Sequence, residues 1–198
     1  MAQTVRITAL GDSLTQGYGL EPGQGLVPQL QAWLSARGQD VEILNAGVSG
    51  DTTAGGLSRL DWTLADQPDA VIVALGGNDL LRGLDPALSR ANLAAILERL
   101  RTDGVPALLV GLPAPANYGP EYQTAFAALY PDLAEDYGAL LVADMLAPLS
   151  ARIEAGAAPA SVFQGDMIHP NVDGVALVVE QLGPQVEALI ERVRAGES

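Results

Sequence analysis

Short apolar runs alternate along the chain with longer segments in which apolar residues recur at helical spacing. The predicted strands are residues 5–10, 41–44, 70–75, 107–110 and 140–142. The predicted helices are residues 27–36, 86–101, 122–137 and 172–194. Strands that alternate with helices in this way are typical of βαβ units around a parallel sheet, so the pattern predicts an α/β fold.

The last predicted helix contains a proline. Pro184 lacks an N–H group and its ring clashes with the preceding turn, so we expect it to kink this helix or to divide it in two. Residues 155–160 are rich in Gly, Ala and Pro and are predicted to form a surface connection. No internal repeat or long linker is apparent, so residues 1–198 are predicted to form one domain.

The composition excludes several kinds of catalysis. The chain has no Cys and one His, and all ten of its basic residues are Arg. Thiolate nucleophiles, Schiff bases and a phosphate-binding lysine are therefore excluded. A single His rules out a multi-histidine metal site, and no carboxylate spacing indicates an all-acidic one. We predict neither a metal nor a cofactor.

The formal net charge is −14, and it is spread along the chain without a block of like charges. Such a field repels nucleic acid, anionic membranes and polyphosphate groups. We therefore expect a neutral small-molecule substrate and no nucleic-acid partner. We expect no stable membrane insertion, because no apolar run approaches the roughly 20 residues that span a bilayer. The predicted location is cytoplasmic, or periplasmic or secreted if a signal peptide has been removed; the oligomeric state stays open.

Polar and glycine-rich blocks follow the first three predicted strands. Ligands of an open parallel sheet bind beyond the carboxyl ends of its strands, so these blocks are the candidates for function. Gly-Asp-Ser-Leu at 11–14 presents the hydroxyl of Ser13 at that edge. Ser-Gly-Asp-Thr at 49–52 offers the N–H of Gly50 to an anion. Gly-Gly-Asn-Asp at 76–79 adds the side-chain amide of Asn78.

The only histidine lies just before the last predicted helix, in Asp-Met-Ile-His-Pro at 166–170. Asp166 is three residues upstream of His169, close enough for its carboxylate to reach the ring across one turn. A carboxylate bonded to imidazole Nδ1–H holds the tautomer in which Nε2 can accept a proton. A hydroxyl, a supported imidazole, an amide and glycine N–H groups at one sheet edge are what acyl transfer requires.

Together these four blocks resemble the SGNH (GDSL) hydrolase family, which is named for its Ser, Gly, Asn and His blocks. They occur in the family's order, and the resemblance covers the whole chain. Leu-Pro at 112–113 and Pro-Ala-Asn-Tyr-Gly at 115–119 resemble the branch of bacterial thioesterase I, arylesterases and lysophospholipases, in which the matching loop is a mobile wall of the substrate groove. The resemblance implies a three-layer α/β/α flavodoxin-like fold with a five-stranded parallel sheet.

The resemblance also implies a role for each candidate residue. Ser13 is then the nucleophile, His169 the general base and Asp166 its orienting partner. The oxyanion hole consists of the Ser13 N–H, the Gly50 N–H and the side-chain amide of Asn78.

Three features qualify this comparison. Gly47 also stands in the second block, but the Ser-Gly-Asp-Thr run aligns with Gly50, so Gly47 is assigned to the turn. Ala-Pro-Ala at 158–160 lengthens the segment before Asp166, which predicts a different rim of the groove. The acidity and the absence of Lys make acyl-CoA a less natural substrate.

The sequence thus predicts a serine esterase that hydrolyses aryl or short- to medium-chain acyl esters through a Ser-His-Asp triad and an acyl-enzyme. The same site suits an acyl-CoA thioesterase, a lysophospholipase or a carbohydrate O-deacetylase, although the two Trp residues that could stack on sugars lie outside the blocks. A non-catalytic flavodoxin-like module that binds FMN or a phosphoryl group is a different class. It is disfavoured because no Gly-rich phosphate fingerprint follows a strand.

Overall fold

Five parallel β-strands form one sheet in the computed structural model, which describes residues 4–114 and 116–196. The strands are β1 (Val5–Gly11), β2 (Val41–Gly47), β3 (Ala70–Ala74), β4 (Ala107–Val110) and β5 (Leu140–Val142). Their order across the sheet is β2-β1-β3-β4-β5, so β1 lies between β2 and β3. Pro115, part of the loop singled out in the sequence, lies outside the described residues.

Helices cover both faces of this sheet. The α-helices of the described residues are α1 (Ser13–Gln16), α2 (Leu26–Ala36), α3 (Thr53–Ser58), α4 (Leu60–Leu64), α5 (Gly77–Leu81), α6 (Pro86–Thr102), α7 (Pro120–Tyr137), α8 (Ala147–Glu154) and α9 (Val172–Ala195). Single 3₁₀ turns cover Ala116–Tyr118 and Pro159–Ser161. Apolar side chains of α2, α8 and α9 pack on one face, and those of α4, α6 and α7 pack on the other.

Strand β3 shows how the sheet divides the core. Ile72 and Ala74 pack with the α2 and α9 layer, whereas Val71 and Val73 pack with the α6 and α7 layer. Successive side chains of a strand point to opposite faces, so a strand covered on both faces must be apolar throughout. All five residues of β3 are buried. The three-layer α/β/α fold with a five-stranded parallel sheet is confirmed.

The predicted elements differ from the observed ones mainly near the site. Strand β2 extends three residues beyond its predicted end and stays paired with β1 as far as Gly47, which lies opposite Gly11. Five helices of eight residues or fewer, α1, α3, α4, α5 and α8, were not predicted. Segments this short do not repeat an apolar stripe often enough to be recognised.

Helix α9 runs through Pro184 without a break, so of the two expected outcomes the division of the helix is wrong, and the kink stays a prediction. Leu182 and Val186 flank the proline, and both are buried in the cluster against the sheet. A proline inside a helix costs about 3 kcal/mol. Burial of the Leu182 and Val186 side chains contributes roughly as much or more, which explains why the helix continues. Residues 155–160 are largely exposed, as predicted for a surface connection.

No helix within residues 4–114 and 116–196 is both long enough and apolar enough to cross a bilayer. The location of the protein stays a prediction.

Candidate active site

Ser13 begins helix α1 directly after β1. A Cβ at Gly11 would lie 1.9 Å from Thr15 Oγ1, so glycine is needed where the chain turns from strand into helix. Asp12 caps this helix, because its Oδ1 accepts a hydrogen bond from Leu14 N at 3.0 Å. Ser13 is thereby held, half-buried, at the carboxyl edge of the sheet.

Asp166 is fixed by the loop that precedes α9. Its Oδ1 accepts hydrogen bonds from the N–H groups of Ile168 and His169, both at 3.0 Å, and its Oδ2 lies 2.6 Å from His169 Nδ1. The backbone hydrogen bond from His169 is the main reason that the pKa of Asp166 falls to about 2. The carboxylate is therefore ionised at neutral pH, and the ring nitrogen that faces it carries a proton.

The opposite ring nitrogen faces the serine. His169 Nε2 lies 2.9 Å from Ser13 Oγ, although 156 positions separate the two residues in the sequence. With the proton on Nδ1, Nε2 is free to accept the hydrogen bond of the hydroxyl. The ring of Tyr18 packs beside the imidazole with 4.8 Å between the ring centroids. The structure thus joins Ser13, His169 and Asp166 in one hydrogen-bonded chain.

Gly50 occupies a tight turn after β2. Asp51 N donates to Val48 O at 3.1 Å, and Gly50, the third residue of this turn, has a φ of 82°. A positive φ at the third position but not at the second, Ser49, is that of a type II turn, which favours glycine at the third position. Arg82 Nη2 donates to the Gly50 carbonyl at 2.7 Å. The turn lies beside the end of β1, because Val48 N donates to Gly11 O at 3.0 Å.

Gly47 was predicted to belong to the turn, and this prediction is wrong. It is the last residue of β2. A Cβ at this position would lie 2.3 Å from Gln16 N. The missing side chain therefore allows α1 to pack directly against β2, which explains why the strand can continue to this point.

Asn78 lies in the first turn of α5, and its Nδ2 is 3.3 Å from Asp12 Oδ2. The next residue, Asp79, is buried and accepts hydrogen bonds from Thr53 N at 2.8 Å and from Thr53 Oγ1 at 2.6 Å. Because Thr53 begins α3, these bonds tie the helix that carries Asn78 to the helix that follows the Gly50 turn.

A cavity of about 130 Å³ opens beside the serine. Its polar lining includes Ser13, Asn78 and His169. The rest of its lining is mainly apolar and includes Leu80, Leu81, Leu112, Pro113, Leu146 and Ile168. Residues 158–160, expected to alter the rim, are exposed and do not contribute to this lining. A concave apolar space with a few convergent polar groups is typical of a small-molecule site.

Asp12 is a site residue that sequence reasoning missed, although it stands inside the first block. Its side chain is nearly inaccessible, and burial raises its pKa to about 6. It accepts hydrogen bonds from Leu14 N and from the amide of Asn78. The available signal was an acidic residue placed between a buried strand and the serine.

Comparison with known proteins defines the family. Residues 9–177 match the model of the GDSL-like Lipase/Acylhydrolase family. The chain is 37% identical over 190 residues to esterase TesA of Pseudomonas aeruginosa, covering 96% of this chain and 90% of that one. It is 34% identical over 183 residues to thioesterase 1/protease 1/lysophospholipase L1 of Escherichia coli, covering 91% of this chain and 83% of that one.

The crystal structure of the psychrotrophic esterase EstA from Pseudoalteromonas sp. has the same fold. It matches with a TM-score of 0.83 at 30% identity, covering 94% of this chain and 98% of that one. The protein therefore belongs to the GDSL-like lipase/acylhydrolase family. Within that family it is a carboxylic ester hydrolase that acts on small-molecule esters.

The buried carboxyl of Asp12 predicts an unusual pH dependence of stability. Its pKa is raised from 3.8 to about 6, so it favours the folded state below 3.8, and this contribution is lost as the pH rises through about 6. At neutral pH the cost is on the order of 3 kcal/mol. We expect Asp12→Asn to remove this cost. The stability of the variant minus that of the wild type should therefore be larger at about pH 8 than at about pH 4.

Thermal melts of both proteins at the two pH values measure this difference. Asp136→Asn, which changes an exposed carboxyl of α7, controls for the loss of one charge. An equal difference between Asp12→Asn and the wild type at both pH values would contradict the prediction.

Proposed function

We propose that the protein hydrolyses neutral carboxylic esters through a covalent acyl-enzyme on Ser13. The observation that carries this proposal is the continuous chain from Ser13 Oγ to His169 Nε2, at 2.9 Å, and from His169 Nδ1 to Asp166 Oδ2, at 2.6 Å. Both distances are within the range at which a base takes a proton from a nucleophile and is oriented by a third group.

Acylation begins when Ser13 Oγ attacks the ester carbonyl carbon. The hydroxyl proton passes to His169 Nε2, and the ionised Asp166 stabilises the imidazolium that forms. The tetrahedral intermediate collapses when the bond to the leaving oxygen breaks and His169 returns the proton to that oxygen. The alcohol leaves, and the acyl group remains on the serine.

Deacylation repeats these steps with water as the nucleophile. His169 accepts a proton from water, which attacks the acyl carbonyl, and then returns the proton to Ser13 Oγ. The products are the carboxylic acid and the free enzyme. A low pKa of Asp166 supports this cycle, because the carboxylate does not take the proton from the imidazolium.

We assign the oxyanion hole to the Ser13 N–H, the Gly50 N–H and the Asn78 side-chain amide. Asn78 lines the same cavity as Ser13 and His169, and the Gly50 turn lies beside the end of β1. Donors at the start of a helix and in a rigid turn are oriented before the substrate arrives, which makes them effective for charge that develops in the transition state.

The apolar cavity supports an acyl or aryl group as the part of the substrate that binds there. Its size fits short- to medium-chain esters. The relative in Escherichia coli is named a thioesterase and lysophospholipase, so these activities remain the second candidates. The non-catalytic binding module is disfavoured by membership in a family of ester hydrolases.

The nucleophile is tested by replacing the serine. We expect Ser13→Ala to lose about 10⁴-fold or more of its turnover with an unchanged melting temperature, because the attacking oxygen is gone. His169→Ala should lose a similar amount, since triad members act as a unit. Ser150→Ala, at an exposed serine of α8, should be as active as the wild type.

A reactive phosphonate provides the second readout, since the related EstA was solved inhibited by monoethylphosphonate. Peptide mass spectrometry should locate the label on Ser13. Labelling of Ser49 or any other serine would overturn the assignment.

The oxyanion hole is tested at Asn78. We expect Asn78→Ala to lower kcat by roughly 10²–10³ with little change in KM, because the amide acts mainly in the transition state. Asn78→Asp, which keeps the shape but replaces the donor by an acceptor, should be at least as slow. Rates per folded molecule and melting temperatures are measured on the same preparations. A variant that melts early but turns over normally when folded would show that Asn78 is only a turn residue.

Substrate class is tested with neutral aryl acetates, longer acyl esters and acyl-CoA side by side. The net charge of −14 repels an anionic acyl-CoA. Raising the salt from about 0.01 M to about 0.15 M shortens the Debye length from about 30 Å to about 8 Å. We therefore expect kcat/KM to rise with salt for acyl-CoA and to stay nearly constant for neutral esters. A kcat/KM that is higher for acyl-CoA than for the neutral esters at low salt would contradict the proposed preference.

A further inference from the structure

Arg59 lies where the ends of β1 and β2 meet the turn that carries Gly50. Its Nη2 donates to Gly11 O at 2.8 Å, its Nη1 donates to Ala46 O at 2.8 Å, and its Nε donates to Asp51 Oδ2 at 2.6 Å. The side chains of Arg59 and Asp51 are only 16% and 15% exposed. A guanidinium is a rigid planar fork of donors, so three bonds in different directions fix its position.

Each acceptor belongs to a segment next to the site. The Gly11 carbonyl ends β1, two residues before the serine, and the Ala46 carbonyl is the last but one of β2. Asp51 closes the turn that holds Gly50. The carboxylate of Asp51 fits here because Gly55 has no side chain. A Cβ at Gly55 would lie 1.8 Å from Asp51 Oδ1.

We propose that Arg59 is a positioning residue that sets the separation of the Ser13 hydroxyl from the Gly50 N–H. This inference rests on the proposed function, in which Ser13 attacks the carbonyl and Gly50 binds the oxyanion. Arg59 touches neither the substrate nor the reacting atoms. It acts because one rigid group holds both the strand end that leads to Ser13 and the turn that presents Gly50.

Replacement of Arg59 should lower kcat rather than raise KM. Ground-state binding depends mainly on the apolar cavity, which Arg59 does not line. A displacement of about 1 Å between the nucleophile and an oxyanion donor can lower the rate by about 10²-fold. Lysine cannot replace the guanidinium, because a single ammonium group cannot reach three acceptors in the same plane.

The test compares Arg59→Ala and Arg59→Lys with Arg6→Ala. Arg6 is the matched control because it lies at the opposite ends of the same two strands, where it bonds to Glu42 and to the Asp66 carbonyl, both at 3.2 Å. Each variant is measured for kcat and KM per titrated active site, for melting temperature, and for activity with added guanidinium ion. Sodium chloride at the same concentration controls for ionic strength.

For Arg59→Lys we expect kcat to fall by about 10²-fold with KM nearly unchanged. For Arg59→Ala we expect a similar loss, partly restored by guanidinium and not by sodium chloride. Arg6→Ala should keep its kcat even where it melts earlier. If Arg59→Ala does not fold, Arg59→Lys still decides, since it keeps the charge beside Asp51.

A normal kcat for folded Arg59→Lys, or rescue by sodium chloride equal to that by guanidinium, would overturn the inference. Such a result is distinguishable from failure of the proposed function. If the proposed function itself were wrong, Ser13→Ala would remain active. That result rejects the mechanism whatever the Arg59 variants show.

Discussion

The parallel register of β1 with its two neighbours is the constraint on which the site depends. Gly11 pairs with Gly47 of β2 on one side and with Ala74 of β3 on the other. Three strands therefore end at the same level, and the chain leaves each of them at the same edge. Ser13, Gly50 and Asn78 all follow within four residues of these ends. A shift of one residue in either pairing would move a block away from the others and turn its strand's side chains to the wrong face.

The remaining half of the site reaches this edge by a different route. His169 comes from the loop before α9, and its position depends on how that helix packs on the sheet. Val175 and Val178, in the first turns of α9, are buried in the same cluster as β1. The loop closes on itself through Gln164 N, which donates to the His169 carbonyl at 2.8 Å. The packing of α9 on the sheet thus sets the distance of the His169 ring from the sheet edge, and the loop sets the orientation of the ring.

Much of this arrangement could be predicted from the sequence. The five strands and four long helices follow from hydrophobic periodicity, because each buries a stripe or a face large enough to leave a pattern. The pairing of Asp166 with His169 is local, at three residues' separation, and the structure places their side chains in contact. Ser13, Gly50 and Asn78 lie at one edge because parallel strands bring their carboxyl ends together.

What could not be predicted is the set of groups that hold the blocks in place. Arg82 and two of the three donor groups of Arg59 bond to backbone carbonyls, which every residue possesses, so these partners leave no trace in the side-chain pattern. Asp12 has its pKa raised by burial, a property of the folded chain rather than of the Gly-Asp-Ser-Leu run. The extension of β2 to Gly47 depends on the close approach of α1, and the continuity of α9 through Pro184 depends on burial on both sides of the proline.

The most direct measurement of the central claim is the identification of the acyl-enzyme itself. The protein is mixed with excess aryl acetate, quenched in acid during steady-state turnover, digested and sequenced by mass spectrometry. The proposed mechanism predicts one acetyl group on Ser13 in the wild type and none on that peptide in Ser13→Ala. Rapid turnover with an acetyl group only at another residue, or full turnover by Ser13→Ala, would contradict it.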